Sequence, residues 1–355
     1  MKITVIGGGN IGTLMAADMA EKGHQVTMYT SKPEKWSESI TVLDSDDNLL
    51  RTGNLYAIKS DIGEAVKDAE IIWIAMPAML FSSLADKLYD AVKPGQMIGV
   101  VPGSGGAEFA FHKLIDKGCT LFGLQRVHSI ARLKEYGHSV YELGRKSELQ
   151  IGSIPAERAE KICEIVQGFF DIPCRALPNY LCVTLTPSNP ILHTTRLYSM
   201  FKDYKNGMTY PKNILFYEEW SDFASEMLIA CDAELQQLCS AIPLELKDVV
   251  SLRVYYESQT VAAMTEKISG ITAFKGITSP MKETENGWIP DFSSRYFTAD
   301  FSYGLKIIKD IAELFGVLIP NIGTVWNWYK QTNPNCVNKC FVENFNTDAF
   351  TGIYR

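Results

Sequence analysis

No stretch of this chain is apolar for the roughly 20 residues that a bilayer-crossing helix needs, and no repeat or low-complexity tract interrupts it. Positive charge is the minority: 34 Lys and Arg face 41 Asp and Glu, giving a formal charge of −7 and a pI near 5.4. That balance argues against nucleic acid or an anionic membrane as a partner. The eight cysteines are scattered; only Cys336 and Cys340 stand close, and no second pair or histidine cluster answers them. The reading therefore holds no metal site and no disulfide framework, and expects reduced thiols in a cytoplasmic protein. The first residues already read as a core strand, so no signal peptide is expected.

What is present starts at once. Lys2 to Ile6 is a short β-branched run, followed by Gly7-x-Gly9-x-x-Gly12 and a helical stretch carrying Ala16, Ala17 and Ala20. Strand, glycine turn and helix in that order are the setting of a dinucleotide-binding fingerprint. The first glycine permits the turn, the second lets backbone approach a pyrophosphate, and the third lets helix pack on strand. Gly7, Gly9, Asn10, Ile11 and Gly12 are thus cofactor-binding candidates, with the helix N-terminus facing the phosphates. A carboxylate that would bind a ribose 2′-hydroxyl belongs about 20 positions on. Thr30, Ser31 and Lys32 stand there instead, and hydroxyls with a lysine suit a 2′-phosphate, so NADP is favoured over NAD. Pro77, after the apolar run Ile71–Met76, joins the cofactor-binding candidates.

A chain of 355 residues exceeds one ordinary core. Strand-like runs at Gln25–Thr30, Leu55–Lys59, Ile71–Met76 and Met97–Val101 alternate with helical patterns, and 156–170 shows one apolar helical face. This predicts a doubly wound parallel sheet, a Rossmann domain spanning 1–184. From about Pro187 strand patterns stop. Helices are expected near 189–203, 214–241, 245–266, 301–316 and 321–330, with a long ordered loop over 267–295. Residues 185–355 are accordingly expected to form an all-helical domain.

Three polar segments could carry chemistry. In Asn189-Pro190-Ile-Leu-His193, Ser188 or Asn189 is expected to cap a helix with Pro190 in its first turn. The helix dipole disfavours an imidazolium at His193 and a neighbouring carboxylate would favour one, a balance suited to proton transfer. In Ser294-Arg295-Tyr296-Phe297-Thr298-Ala299-Asp300, the arginine fork could grip a carboxylate, and Asp300 opens a helix it could simply cap. Gln125-Arg126-Val-His128-Ser-Ile-Ala-Arg132-Leu-Lys134 places three lysines or arginines after a strand, with an exposed basic loop as the plain alternative.

Together these segments resemble the octopine/nopaline (opine) dehydrogenase family. The likeness runs over the glycine motif, Pro102-Gly103-x-x-Gly106, Arg132-Leu-Lys-Glu-Tyr-Gly137, Asn189-Pro190-x-x-His193, and Ser294-Arg295-Tyr296-Phe297-Thr298-x-Asp300 with Gly304-Leu305. It implies a Rossmann domain joined to a helical domain like the C-terminal one of 6-phosphogluconate dehydrogenase. It also implies His193 and Asp300 as a catalytic dyad and Arg295 at the active site. Asn189, Arg126 and Arg132 complete the substrate-binding candidates. The activity implied is NAD(P)H-dependent condensation of a 2-oxo acid with the amino group of an amino acid, with a homodimer among the assemblies considered. Two departures stand out: Ala299 replaces a common glutamate, and Arg126-Val-His-Ser-Ile-Ala131 replaces a segment that lines the amino-acid pocket in octopine-type members. Arg126 or His128 would there suit a second carboxylate. The alternatives are a ketopantoate reductase- or glycerol-3-phosphate dehydrogenase-like enzyme and a non-catalytic NADP(H)-sensing protein. Those reductases rely on a lysine where this chain has His193.

Overall fold

The computed structural model describes residues 1–334, 336 and 338–355, which divide into two compact units: Met1–Thr184 with Gly352–Arg355, and Leu185–Thr351.

The first unit is built on an eight-stranded sheet. Its strands are β1 (Lys2–Ile6), β2 (Gln25–Tyr29), β5 (Ala57–Lys59), β6 (Ile71–Ile74), β7 (Met97–Val100), β8 (Thr120–Leu124), β11 (Leu149–Ile154) and β12 (Cys174–Ala176). Their order is β12-β11-β8-β7-β6-β1-β2-β5. β1 sits between β2 and β6, so the chain winds outward both ways from it, as the doubly wound reading requires. β6 is Ile-Ile-Trp-Ile, buried at every position, because a central parallel strand has no solvent face. The sheet is not wholly parallel: β11 runs antiparallel to β8.

A second, four-stranded sheet escaped the sequence reading. β3 (Ser39–Leu43), β4 (Leu49–Asn54), β9 (Ser129–Glu135) and β10 (Ser139–Arg145) pair in the order β4-β3-β10-β9. The exposed basic loop, the plain alternative for the segment after β8, gives way to β9 over Ser129–Glu135. Its lysine is spoken for, since Lys134 pairs with Asp47.

The second unit is mainly helical, with helices Thr194–Phe201, Asp222–Ala241, Val261–Gly270, Lys306–Leu314 and Pro320–Thr332. It is not all-helical. β13 (Met281–Thr284) and β14 (Gly287–Pro290) form an antiparallel hairpin inside the expected loop, turning through Glu285 and Asn286, with Gly287 at φ +121° opening β14. The expected helix over 214–241 begins only at Asp222. Arg196 takes the carbonyls of Leu215, Phe216 and Glu219, and Ser221 caps the helix by accepting from the Ala224 N–H. The helix expected over 245–266 is broken by Glu257, whose φ of 52° a helix cannot hold.

No helix among the described residues is long and apolar enough to cross a membrane.

Candidate active site

The glycine turn in the first unit fits a dinucleotide. Gly7 has φ +113° and a Cβ there would lie 2.4 Å from the Ala75 carbonyl oxygen; one on Gly12 would lie 1.8 Å from that of Gly7. Any side chain at either place would force strand and helix apart. Around Gly9 there is nothing within 4 Å of such a Cβ. The helix Asn10–Glu21 that follows has no side-chain cap and no acidic residue in its first turn. Its leading N–H groups thus remain for an anion, and the residues present suit a pyrophosphate. Ile11 is half-buried, and the Asn10 side chain is committed elsewhere, accepting from the Leu133 N–H at 2.9 Å.

At the end of β2 the candidates separate. Thr30 is buried, with its hydroxyl 3.2 Å from that of Tyr136 and accepting from the Lys32 N–H. Ser31 and Lys32 are exposed, as is Pro77 beyond β6.

The second unit holds the polar site. Ser188–His193 forms a π-helical turn that runs into the helix Thr194–Phe201. Its N-cap is Pro187, so neither Ser188 nor Asn189 caps it, and His193 lies one turn deeper than expected. Phe301–Leu305 is a second π-helical turn, with Asp300 at its N-cap position. Such turns are rare and recur at functional sites. The two approach closely because Gly304 has no side chain: a Cβ there would lie 3.1 Å from Pro190. This contact explains how two motifs 107 positions apart meet.

Asp300 makes no cap bond with its carboxylate, contrary to the simple capping alternative. Its Oδ2 instead lies 2.8 Å from His193 Nδ1. An ionised carboxylate only accepts, so Nδ1 carries the proton and Nε2 is left as the basic nitrogen. That nitrogen lies 3.0 Å from the Tyr217 hydroxyl. The His193 and Asp300 side chains are 14% and 15% exposed, sheltered yet reachable. Tyr296 packs against the imidazole with ring centroids 4.9 Å apart.

Arg295 is exposed, with its guanidinium 6.0 Å from the centre of the Tyr296 ring, and its side chain makes no hydrogen bond or ion pair with other described residues. Asn189 is exposed as well. In the first unit Arg132 projects from β9 and donates to the Ala131 carbonyl at 2.8 Å, while half-buried Arg126 reaches Gln125 Oε1 at 3.4 Å. His128 is corrected outright. It is fully buried, stacked on Phe170 at 4.5 Å and 3.4 Å from Asp18, so it offers no cation to a substrate carboxylate.

Tyr217 was missed by the sequence reading, having no motif or periodicity to mark it. Arg196, one helical turn beyond His193, pins its loop by the three carbonyl bonds described above. The clue lay in that spacing, which only the fold could decode.

Comparison with known proteins agrees with this geometry. A family model described as the α-helical domain of NAD/NADP octopine/nopaline dehydrogenase matches residues 176–333. Another, the N-terminus of NAD-dependent glycerol-3-phosphate dehydrogenase, matches residues 2–115. Tauropine dehydrogenase of Arabella iricolor is 26% identical, over 93% of this chain and 90% of its own length. The structure of an octopine dehydrogenase with NADH and L-arginine superposes with a TM-score of 0.83 at 24% identity, covering 94% of this chain and 90% of that one. A structure of octopine dehydrogenase with NADH and pyruvate gives 0.82 at 23%, covering 96% and 90%. The likeness to these structures is one of fold. Residues 176–333 thus match the helical domain of the octopine/nopaline dehydrogenase family, and the chain is similar to opine dehydrogenases over nearly its whole length.

Proposed function

We propose that this protein is an NAD(P)H-dependent opine dehydrogenase, joining a 2-oxo acid to the amino group of an amino acid and releasing water. The observation that carries the reading is the 2.8 Å bond between His193 and Asp300. When bound, a reduced nicotinamide supplies the hydride that turns an imine into a secondary amine. Gly7, Gly9, Gly12 and the N–H groups opening the helix Asn10–Glu21 would hold its pyrophosphate.

The chain's own residues manage protons and charge. Asp300 fixes the imidazole tautomer and stabilises the imidazolium. His193 gives and takes a proton on the Nε2 side as the amine adds and water leaves. Arg295 anchors a substrate carboxylate through its two-pronged donors, which its lack of a protein partner supports. Asn189, Arg126 and Arg132 remain candidates for the other polar groups. Pyruvate and L-arginine, named in the structures of the octopine dehydrogenases, mark the substrate classes to try first.

The reading favours NADP over NAD. Exposed Ser31 and Lys32, with no carboxylate over 30–32, support a 2′-phosphate there. Lys32→Ala should then raise KM for NADPH about tenfold, one lost charged contact, and leave that for NADH alone. The cysteines are free thiols and not disulfides, which supports a cytoplasmic setting. A homodimer is tested by light scattering.

The decisive experiment follows NADPH and NADH oxidation across a matrix of 2-oxo acids and amino acids. Consumption that needs both partners supports the proposal. Consumption with the oxo acid alone would replace it with a simple ketone reductase, and cofactor binding without turnover would leave a sensing protein.

A further inference from the structure

Both ring nitrogens of His193 are occupied. Asp300 holds Nδ1, and the Tyr217 hydroxyl stands 3.0 Å from Nε2, the nitrogen through which protons must pass. Any acid–base exchange with a substrate must therefore either displace Tyr217 or run through it.

The surroundings of Tyr217 oppose displacement. Its ring is 6% exposed, stacked 4.1 Å from Phe274 and parallel to Trp220 at 6.4 Å. The backbone on either side is clamped: Arg196, itself buried, donates to the carbonyls of Leu215, Phe216 and Glu219 at 2.8 to 3.2 Å. Glu219 closes the same loop by accepting from the Leu215 N–H at 2.7 Å and from Lys212 at 2.8 Å. Such a loop holds the phenol at one place and lets only its O–H rotate.

We propose that Tyr217 is a third member of the catalytic set, and that the proton of His193 reaches the substrate through its hydroxyl. This rests on the opine dehydrogenase reading above. The imidazolium Nε2–H passes its proton to the Tyr217 oxygen while the Tyr217 O–H passes its own to the hydroxyl of the amine–ketone adduct. The C–O bond breaks, the amine lone pair forms C=N, water departs, and His193 is left neutral. Tyr217 ends with the proton count it began with.

The charges around the pair suit such a carrier. Asp300 faces the imidazole, while Tyr296, Tyr256 and Arg295 surround the phenol. Burial above all, then Tyr296, Tyr256 and Asp300, holds the phenol well above the usual tyrosine range, so it stays protonated, a conduit and not a base. An –OH can accept from Nε2 and donate onward at once, which no apolar isostere can do.

The test is Tyr217→Phe, assayed with a substrate pair that the wild-type protein consumes. The relay predicts a kcat about 100-fold lower, within the range for acid–base groups. KM, cofactor affinity and melting temperature should stay near wild type. A merely structural role would move those and spare kcat. A kcat within twofold of wild type, or above it, overturns the relay and makes Tyr217 a plug that substrate pushes aside. Should the variant not fold, a proton inventory of the wild-type enzyme in H2O/D2O mixtures decides: two protons in flight bow the plot, one leaves it straight. A wild-type protein inert toward every pair would instead sink the function reading, so the two failures are distinguishable.

Discussion

Two histidine–carboxylate pairs, one in each unit, differ in access and in company. His193 and Asp300 meet at 2.8 Å with side chains 14% and 15% exposed. His128 and Asp18 are 3.4 Å apart at 0% and 3%. The first is one carboxylate for one imidazole. The second shares Asp18 with Arg51 and Arg145, both of which also reach Glu142. Asp18 lies on the glycine-turn helix, Arg51 on β4, and Glu142 and Arg145 on β10, so this network fastens the small sheet to that helix. The sequence offered both histidines as ligands for chemistry. Access and bond quality, not residue type, tell them apart.

The largest effect expected from breaking this contrast is on turnover. His193→Gln should lower kcat about 1,000-fold, as loss of an acid–base group does, with the melting temperature unchanged. His128→Gln should do the reverse, lowering the melting temperature and sparing kcat per folded molecule. If both variants lose activity at wild-type stability, the contrast is wrong. The carboxylates follow the same division at about a hundredfold. Asp300→Asn presents an amide that no longer enforces the Nδ1–H tautomer, so kcat falls while unfolding by urea is unaltered. Asp18→Asn leaves Arg51 and Arg145 short of a buried counter-charge and should cost about 3 kcal/mol in the denaturant midpoint. Equal urea midpoints for Asp18→Asn and wild type would show the network to be dispensable.

What was legible follows from the same physics. β1 and β6 announce themselves because a buried parallel strand is apolar throughout, and the glycine turn because no other residue fits Gly7 or Gly12. The second sheet stayed hidden because its strands carry Arg51, Lys134, Glu142 and Arg145, which read as surface until partners from distant segments neutralise them. Helix patterning over 214–221 misled because Arg196 bonds that backbone from another helix, an interaction without periodicity. The pairing of His193 with Asp300 came from family resemblance, since nothing in their spacing predicts the Gly304–Pro190 contact that joins them. Tyr217 had neither aid.

A third buried acid sharpens the comparison through pH. Glu108 is buried with hydroxyls for company, accepting from Thr184 at 2.5 Å and Tyr354 at 2.9 Å, without the cations that surround Asp18. Burial pushes its carboxyl up to about 7. The native protein therefore keeps a proton that the unfolded chain has already released above the ordinary glutamate value. Stability from this group is full at low pH and drains away as pH climbs through about 7. Between about pH 5.5 and 7 the loss is about 2 kcal/mol, at 1.36 kcal/mol per unit. Glu108→Gln cannot ionise, so its melting temperature should fall less across that interval than the wild type's, by a few degrees. Tyr354→Phe should keep the wild-type slope at a lower stability, because it removes a donor and leaves the ionisable group. Parallel melting curves for wild type and Glu108→Gln would mean that Glu108 is charged in the folded protein, held by solvent or cations as Asp18 is by its arginines.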